Sequence, residues 1–201
     1  LHVFPSVPST NSVLRDLAAD GAPEGTVVLT GEQTAGRGRM ERRWVSPAGA
    51  GLWMTQLFFP EKVPAERAGG AVFLSAVALC RTLREITGAQ VGVKWPNDLV
   101  LNGKKLVGIL TEVSLADGGV DYVVVGIGVN LRQRPEDFSP EVAKIATSLA
   151  AEGYDVERET LETALVDALR QAFRHLCAPE TYLDDYRQLC LNLGRQGHIL
   201  Q

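Results

Sequence analysis

Cysteine is scarce in this chain, and the three present, Cys80, Cys177 and Cys190, form no CxxC pair. An odd, scattered set argues against a disulfide framework or a cysteine-built zinc site and fits reduced thiols in the cytosol. Histidine is as sparse: His2, His175 and His198 make no HxxxH pair. No apolar run approaches the roughly 18–20 residues of a membrane span. The longest, Val123–Val129, has strand length and holds two glycines. Leu1–Thr10 lacks the basic stretch of a secretory signal. Positive charge is not in surplus either. Lys and Arg number 20 against 24 Asp and Glu, a net charge of −4, which opposes whole-surface attraction to nucleic acid. Any anion site must therefore be local. GxSxG, HExxH, SxxK and EF-hand patterns are absent, which removes most hydrolase and metal-loop chemistry at the motif level.

What is present is an ordinary globular composition: 201 residues, 45% hydrophobic and 22% charged. A chain of this size buries about 70% of its unfolded surface and needs no staple. It opens on Leu1 and stops at Ile199-Leu200-Gln201 inside a segment that resembles a starting strand. The expectation is a piece of a longer protein.

Pattern and punctuation predict the elements. Leu1–Val7 reads as a short strand, and Ser9-Thr10-Asn11 as the cap of a helix running to Ala19 and stopped by Gly21. Thr26–Gln33 and Gly51–Phe59 are β-rich, with an aperiodic loop, Thr34–Arg43, between them. Glu66–Thr87 repeats Val72, Ala76, Leu79, Leu83 and Ile86 at helical spacing and ends at Gly88. Val91–Trp95 is a strand, which Pro96 interrupts, holding Trp95 extended. Asn102-Gly103 joins Leu99–Leu101 and Lys105–Val113 into a hairpin. Tyr122–Val129 is a central strand, Arg132–Ala146 a mobile loop, and Arg158–Cys177 and Pro179–Leu191 are helices. Hairpins and helices that do not strictly alternate predict an α/β (α+β) domain with a mixed sheet.

Four segments could carry chemistry. Gly36-Arg37-Gly38-Arg39-Met40-Glu41-Arg42-Arg43-Trp44 holds four arginines and one glutamate. Guanidinium forks bind carboxylate and phosphate oxygens, glycines allow close backbone approach, and Trp44 can stack. The bland alternative is a solvated basic turn. Gly31–Arg37 nearly spells a P-loop but lacks its Lys-Ser/Thr pair, so a Walker NTPase is rejected. Lys94-Trp95-Pro96-Asn97-Asp98 presents Asn97 and Asp98 at a strand end; ordinary turn chemistry would explain it equally. In Lys104-Lys105-Leu106-Val107-Gly108-Ile109-Leu110, strand alternation sends the two lysines to opposite faces. Spacing alone does not say which one points inward. Gly126-Ile127-Gly128-Val129-Asn130 closes a strand instead of opening a helix, which disfavours a Rossmann site.

The order of these signals is more specific than any one of them. Ser-Thr-Asn, then QxxGRGRxxRxW, KWPND, KLxGIL and GxGxN strongly resembles the biotin–protein ligase family from about Ser9 to Asn130. The resemblance implies a fold like that of class II tRNA synthetases, a mixed sheet with helices packed on one side. It implies ATP, biotin and Mg²⁺, the last carried by ATP phosphates and not by protein ligands. The implied reaction makes biotinyl-5′-AMP and passes biotin to one lysine of a biotin carboxyl carrier protein, in the cytoplasm, with no DNA or membrane partner; homodimerisation stays open.

Carried over by motif, Ser9, Thr10, Asn11, Gln33, Gly36, Arg37, Arg39, Lys105, Gly108 and Leu110 would meet biotin. Arg39, Arg42, Trp44, Asn97, Lys105 and Asn130 would meet the nucleotide. Lys105, Arg39 and Asp98 would be catalytic, Lys105 being the lysine before Leu-x-Gly-Ile. The same resemblance places a catalytic domain at 1–188 and the start of a small SH3-like domain at 189–201, without the N-terminal winged helix of repressor members. The nearest rival is a lipoate ligase or octanoyltransferase, similar in fold. A noncatalytic RNA-binding module using the RGR loop is opposed by net charge.

Overall fold

A computed structural model describes residues 1–194. Seven strands form one mixed sheet: β1 (His2–Phe4), β2 (Val27–Thr30), β3 (Gly51–Phe58), β4 (Gly92–Lys94), β5 (Asp98–Leu101), β6 (Lys104–Ala116) and β7 (Gly119–Asn130). Their order is β1-β2-β3-β7-β6-β5-β4. Only β1 and β2 run parallel; the other neighbours are antiparallel. The helices are α1 (Thr10–Ala19), α2 (Gly70–Thr87), α3 (Pro140–Ala143), α4 (Arg158–Phe173) and α5 (Leu183–Leu189).

Strand alternation divides the sheet into two faces. On one face Leu52, Met54, Phe58, Val107, Ile109, Val123, Val125, Ile127 and Val129 pack with Leu79 and Leu83 of α2 and Leu161, Leu165 and Leu169 of α4. Each such side chain, fully buried, contributes about 1.5–3 kcal/mol. Phe58 stacks on Phe173 with ring centroids 3.8 Å apart, and α5 adds Tyr186 and Leu189. The long helices thus lie on one side, as expected. Helix α1 is on the other, its Leu14 and Ala18 packed on Val28, Leu57 and Val124.

Several boundaries differ from the sequence reading, among them α5, which spans Leu183–Leu189 and not Pro179–Leu191, and β7, which begins at Gly119 and not at Tyr122. Helix α2 begins at Gly70, after a separate turn at Ala65–Arg67. A β-carbon at Gly70 would run into the Tyr182 hydroxyl, so the close approach of the C-terminal region sets this start. Its end is as read: Gly88, at φ 70°, returns its N–H to the Arg84 carbonyl. Helix α4 stops at Phe173; Leu176 lies beyond it yet is fully buried. The segment read as a mobile loop, Arg132–Ala146, is stitched to the sheet: Lys105 N–H donates to the Ile145 carbonyl at 2.7 Å and Thr147 N–H to the Lys105 carbonyl at 2.9 Å. The Trp95–Pro96 peptide bond is cis. Leu191–Gly194 is a turn; the rest of the strand expected over 191–201 lies outside the described residues. No described helix is long and apolar enough to cross a membrane.

Candidate active site

The face opposite the main core carries the chemistry, and the strand register determines which residues meet there. One cross-strand row reads Asp98, Gly108, Gly128, Trp53, Thr30. The next reads Leu110, Gly126, Thr55, Val28, and beyond it come Glu112, Val124 and Leu57. Three adjacent glycines on two central strands leave a trough in the sheet surface. Trp44 lies over Gly108 and Gly128, and Asn11 over Gly126; a β-carbon at any of these glycines would collide with the overlying side chain. The glycines are required by close approach, not by turn geometry.

Polar groups of α1 line the upper end of the trough. Ser9 caps the helix in extended conformation without using its hydroxyl for the cap. Thr10 N–H donates to Gln33 Oε1 at 2.9 Å, and Gln33 Nε2 donates to Ser46 Oγ at 2.9 Å. The Thr55 hydroxyl lies 2.7 Å from both Thr10 Oγ1 and Asn11 Oδ1. Asn11 Nδ2 donates to the Leu110 carbonyl and, at 2.8 Å, to Glu112 Oε2. Asn11 is therefore fixed in one amide orientation by partners on two strands.

The basic loop crosses the lower end. Trp44 N–H donates to the Gly36 carbonyl and Gly38 N–H to the Arg42 carbonyl, closing a narrow turn. Met40 and Glu41, at its tip, both have positive φ, 54° and 59°, a conformation costly for side chains other than glycine. Thr34–Gly38 and Glu41–Arg43 line a cleft of about 540 Å³, a volume suited to a small organic ligand. Arg37 forms a two-pronged pair with Glu112 at 2.9 and 3.2 Å. Arg39 Nη1 donates to Asn97 Oδ1 at 3.3 Å. Arg42 and Arg43 are exposed and make no ion pair among the described residues.

The two lysines diverge. Lys105 Nζ lies 2.6 Å from Asp98 Oδ1 and 5.1 Å from the centre of the Trp44 ring. Lys104 Nζ reaches instead toward the Ala143 carbonyl at 3.3 Å. Asn97 is locked to β6, donating from Nδ2 to the Ile109 carbonyl and accepting Ile109 N–H on its own carbonyl. Thus Lys105, Asp98, Asn97, Arg39 and Trp44, distant in sequence, converge beside Gly108. Asn130 differs. It is buried, donates to the Thr147 carbonyl and accepts from Gln133, both at 2.9 Å. Its amide holds the 133–148 segment against the sheet.

Sequence reasoning missed Ser46, Trp53, Thr55 and Glu112. Alternation could have found Glu112, two positions beyond Leu110 on the face of Gly108. Trp53, whose ring meets Trp44 edge to face at 6.2 Å, follows from the same rule applied to Gly51. Ser46 has no such signal, because a hydroxyl in a loop acquires its partner only on folding. Among the described residues no group of three His, Cys, Asp or Glu side chains could cage a metal.

Comparison with known proteins concerns the chain and its fold. Residues 3–130 match the model of the biotin/lipoate A/B protein ligase family. The chain is 45% identical over 151 residues to the bifunctional ligase/repressor BirA of Bacillus subtilis, covering 75% of this chain and 46% of that protein. It is 34% identical over 208 residues to the biotin–[acetyl-CoA-carboxylase] ligase of Mycobacterium tuberculosis, covering 99% and 74%. The structure superposes on biotin protein ligase from Aquifex aeolicus in complex with biotin and ATP with a TM-score of 0.80 at 26% identity, covering 96% of this chain and 79% of that one. The chain spans about half the length of the BirA relatives it matches.

Proposed function

The chain belongs to the biotin/lipoate A/B protein ligase family, and from that premise we propose that it activates biotin with ATP and transfers it to a lysine of a carrier protein. The observation that carries the reading is the convergence of Lys105, Asp98, Asn97, Arg39 and Trp44 beside a glycine-floored trough. The named relatives and the ATP and biotin complex of the similar Aquifex protein support the choice of substrates.

In the first step a biotin carboxylate oxygen attacks the α-phosphorus of ATP. The bond from that phosphorus to the bridging oxygen breaks, and pyrophosphate leaves. Both reactants are anions, so the difficulty is repulsion. A cation 4 Å from an anion stabilises it by about 1 kcal/mol in water and by about 4 kcal/mol at an effective dielectric near 20. Lys105 is already on the sheet at the trough's lower end, and Arg39 and Arg42 approach from the loop. Loop closure over the ligands excludes water, strengthens these cations and protects the mixed anhydride. Asp98 holds the Lys105 ammonium in place until the phosphate arrives.

Trp44 covers the glycine floor and offers an aromatic wall. Asn11, Thr10 and Gln33 line the opposite end, where polar ring atoms of the acid would sit. Asn130, through the Thr147 carbonyl, holds the 133–148 segment against the strand end. Mg²⁺ would be held through the nucleotide's phosphates and would neutralise charge on pyrophosphate. In the second step a neutral lysine ε-amine of the carrier attacks the acyl carbon; the acyl–oxygen bond breaks, AMP leaves, and the new amide nitrogen gives up a proton to solvent.

The test is mass spectrometry of products after mixing the protein with biotin and Mg-ATP, with lipoate in a parallel reaction. Biotinyl-5′-AMP with equimolar pyrophosphate is expected. Lipoyl-AMP in its place would move the chain to the lipoate branch, and no adenylate from either acid would refute the reading.

A further inference from the structure

We propose that Glu112 is the positioning residue of the basic loop, latching its root to the sheet through Arg37 before any ligand arrives. This rests on the reading of the site given above but concerns a residue outside the motifs. A carboxylate has about four acceptor directions, and Glu112 uses all of them on two elements, α1 and the basic loop. Arg37 donates to both oxygens, at 3.2 and 2.9 Å. Arg15 donates to Oε1 at 3.3 Å, and Asn11 to Oε2 at 2.8 Å. Asn11 and Arg15 are four residues apart on α1, one turn on one face. One side chain on β6 thus joins α1, the central sheet and the loop.

This latch divides the loop into two parts. The root, Gln33–Gly38, is tied by Thr34 N–H to the Val7 carbonyl, by Ala35 N–H to the Pro8 carbonyl, and by Arg37 to Glu112. The tip, Arg39–Arg43, is exposed, carries two consecutive residues with positive φ and, among the described residues, has only the Arg39–Asn97 hydrogen bond across the site. The arginines therefore divide the work. Arg37 spends its charge downward on Glu112, whereas Arg39, Arg42 and Arg43 remain available to anionic ligands. Glu112 also fixes the Asn11 amide, so the latch and the far end of the trough are set by the same carboxylate. Without its charge, Arg15 and Arg37 would face each other with no anion between them.

Glu112→Gln keeps the shape and an acceptor for Asn11 but removes the charge; Arg37→Gln removes the other partner from an exposed loop and leaves the sheet intact. In ligand-free protein, either change should speed amide hydrogen exchange over residues 34–38 by roughly tenfold or more, the scale of one lost charge-assisted hydrogen bond. Exchange in 70–87 should stay unchanged, and the double variant should exchange no faster than the single ones, because both break one interaction. In the adenylation assay Glu112→Gln should raise the biotin KM by roughly tenfold with kcat nearly kept, since a pre-set root contributes equally to ground and transition states. Unchanged exchange at 34–38, acceleration spread equally over α2, or additive effects in the double variant would overturn the proposal. Absence of any adenylation would refute the functional reading and leave the exchange experiment as an independent test of the latch.

Discussion

Replacing Lys105 by alanine tests the central claim about the site. Its ammonium sits 2.6 Å from Asp98 and beside the Trp44 ring, with 30% of the side chain exposed. Two effects follow and can be separated. In the ligand-free protein the variant leaves Asp98 without its cation. The Asp98 oxygen that meets the ammonium is itself buried, so the loss of stability should exceed that of an exposed pair, about 1–3 kcal/mol for a buried acceptor left unpaired. In the reaction the loss is larger, because closure removes water just where charge develops on the α-phosphate. Removing one preorganised charge there should raise the barrier by about 2–4 kcal/mol, roughly 30- to 1,000-fold in rate. Lys104→Ala is the internal control: that ammonium reaches the Ala143 carbonyl and acts on Glu152, not on Asp98. Pyrophosphate release at saturating biotin and Mg-ATP reads the first step without any carrier, and thermal melts read stability. A Lys105→Ala variant that releases pyrophosphate at the wild-type rate, or a slow Lys104→Ala variant beside it, would refute the assignment.

Four further outcomes are expected. Gly128→Ala places a methyl group 2.5 Å from the Trp44 indole; overpacking of about 1–3 kcal/mol should lift that ring and weaken biotin binding in calorimetry by tenfold or more, and undiminished affinity would argue against the trough. Arg39→Ala, which loses the contact to Asn97, should release more free biotinyl-AMP into the medium than wild type; equal retention would count against a clamp at this position. Burial pushes the Cys80 thiol up to about 11, so at pH 8 only about one molecule in a thousand carries the thiolate; iodoacetamide should label exposed Cys177 long before Cys80, and equal labelling would contradict the packing. Hydrogen bonds from Thr147 and Asn102 hold Glu152 below the ordinary carboxyl range, so its contribution is present above the unfolded value near 4.3 and fades as pH falls through the lowered folded value. The melting-temperature gap between wild type and Glu152→Gln should close on going from pH 7 to pH 3; a gap constant with pH would remove the carboxylate from the account.

Local chemistry was enough to place most of the elements. Gly88 ends α2, Asn102-Gly103 turns the β5–β6 hairpin, and Ser9 starts α1 because each residue's own backbone preference acts over a few neighbours. The motifs likewise marked the loop, Asn97-Asp98 and Lys105, since residue type and spacing survive in the linear chain. What sequence could not decide was pairing across distance. The motif singles out Lys105 over Lys104, but what brings it to the site is an irregularity in the pairing: the β5–β6 register shifts between Leu99 and Val100, so that Val100 faces Lys105 and the ammonium reaches Asp98. Asn130 was marked by motif alone, and folding adds that its amide also ties Thr147 and Gln133 to the sheet, with one donor and one acceptor direction left over. Arg132–Ala146 looked free because it lacks periodicity, but the backbone of Lys105 offers it partners. Glu112 carried no motif at all; its meaning comes from meeting Asn11, Arg15 and Arg37, which are 75 or more residues away in the chain. Sequence determines which local conformations and chemical groups are available, because those depend on neighbours. The tertiary structure decides which groups remain free for a ligand, because a buried donor or acceptor must find a partner wherever the packed chain supplies one.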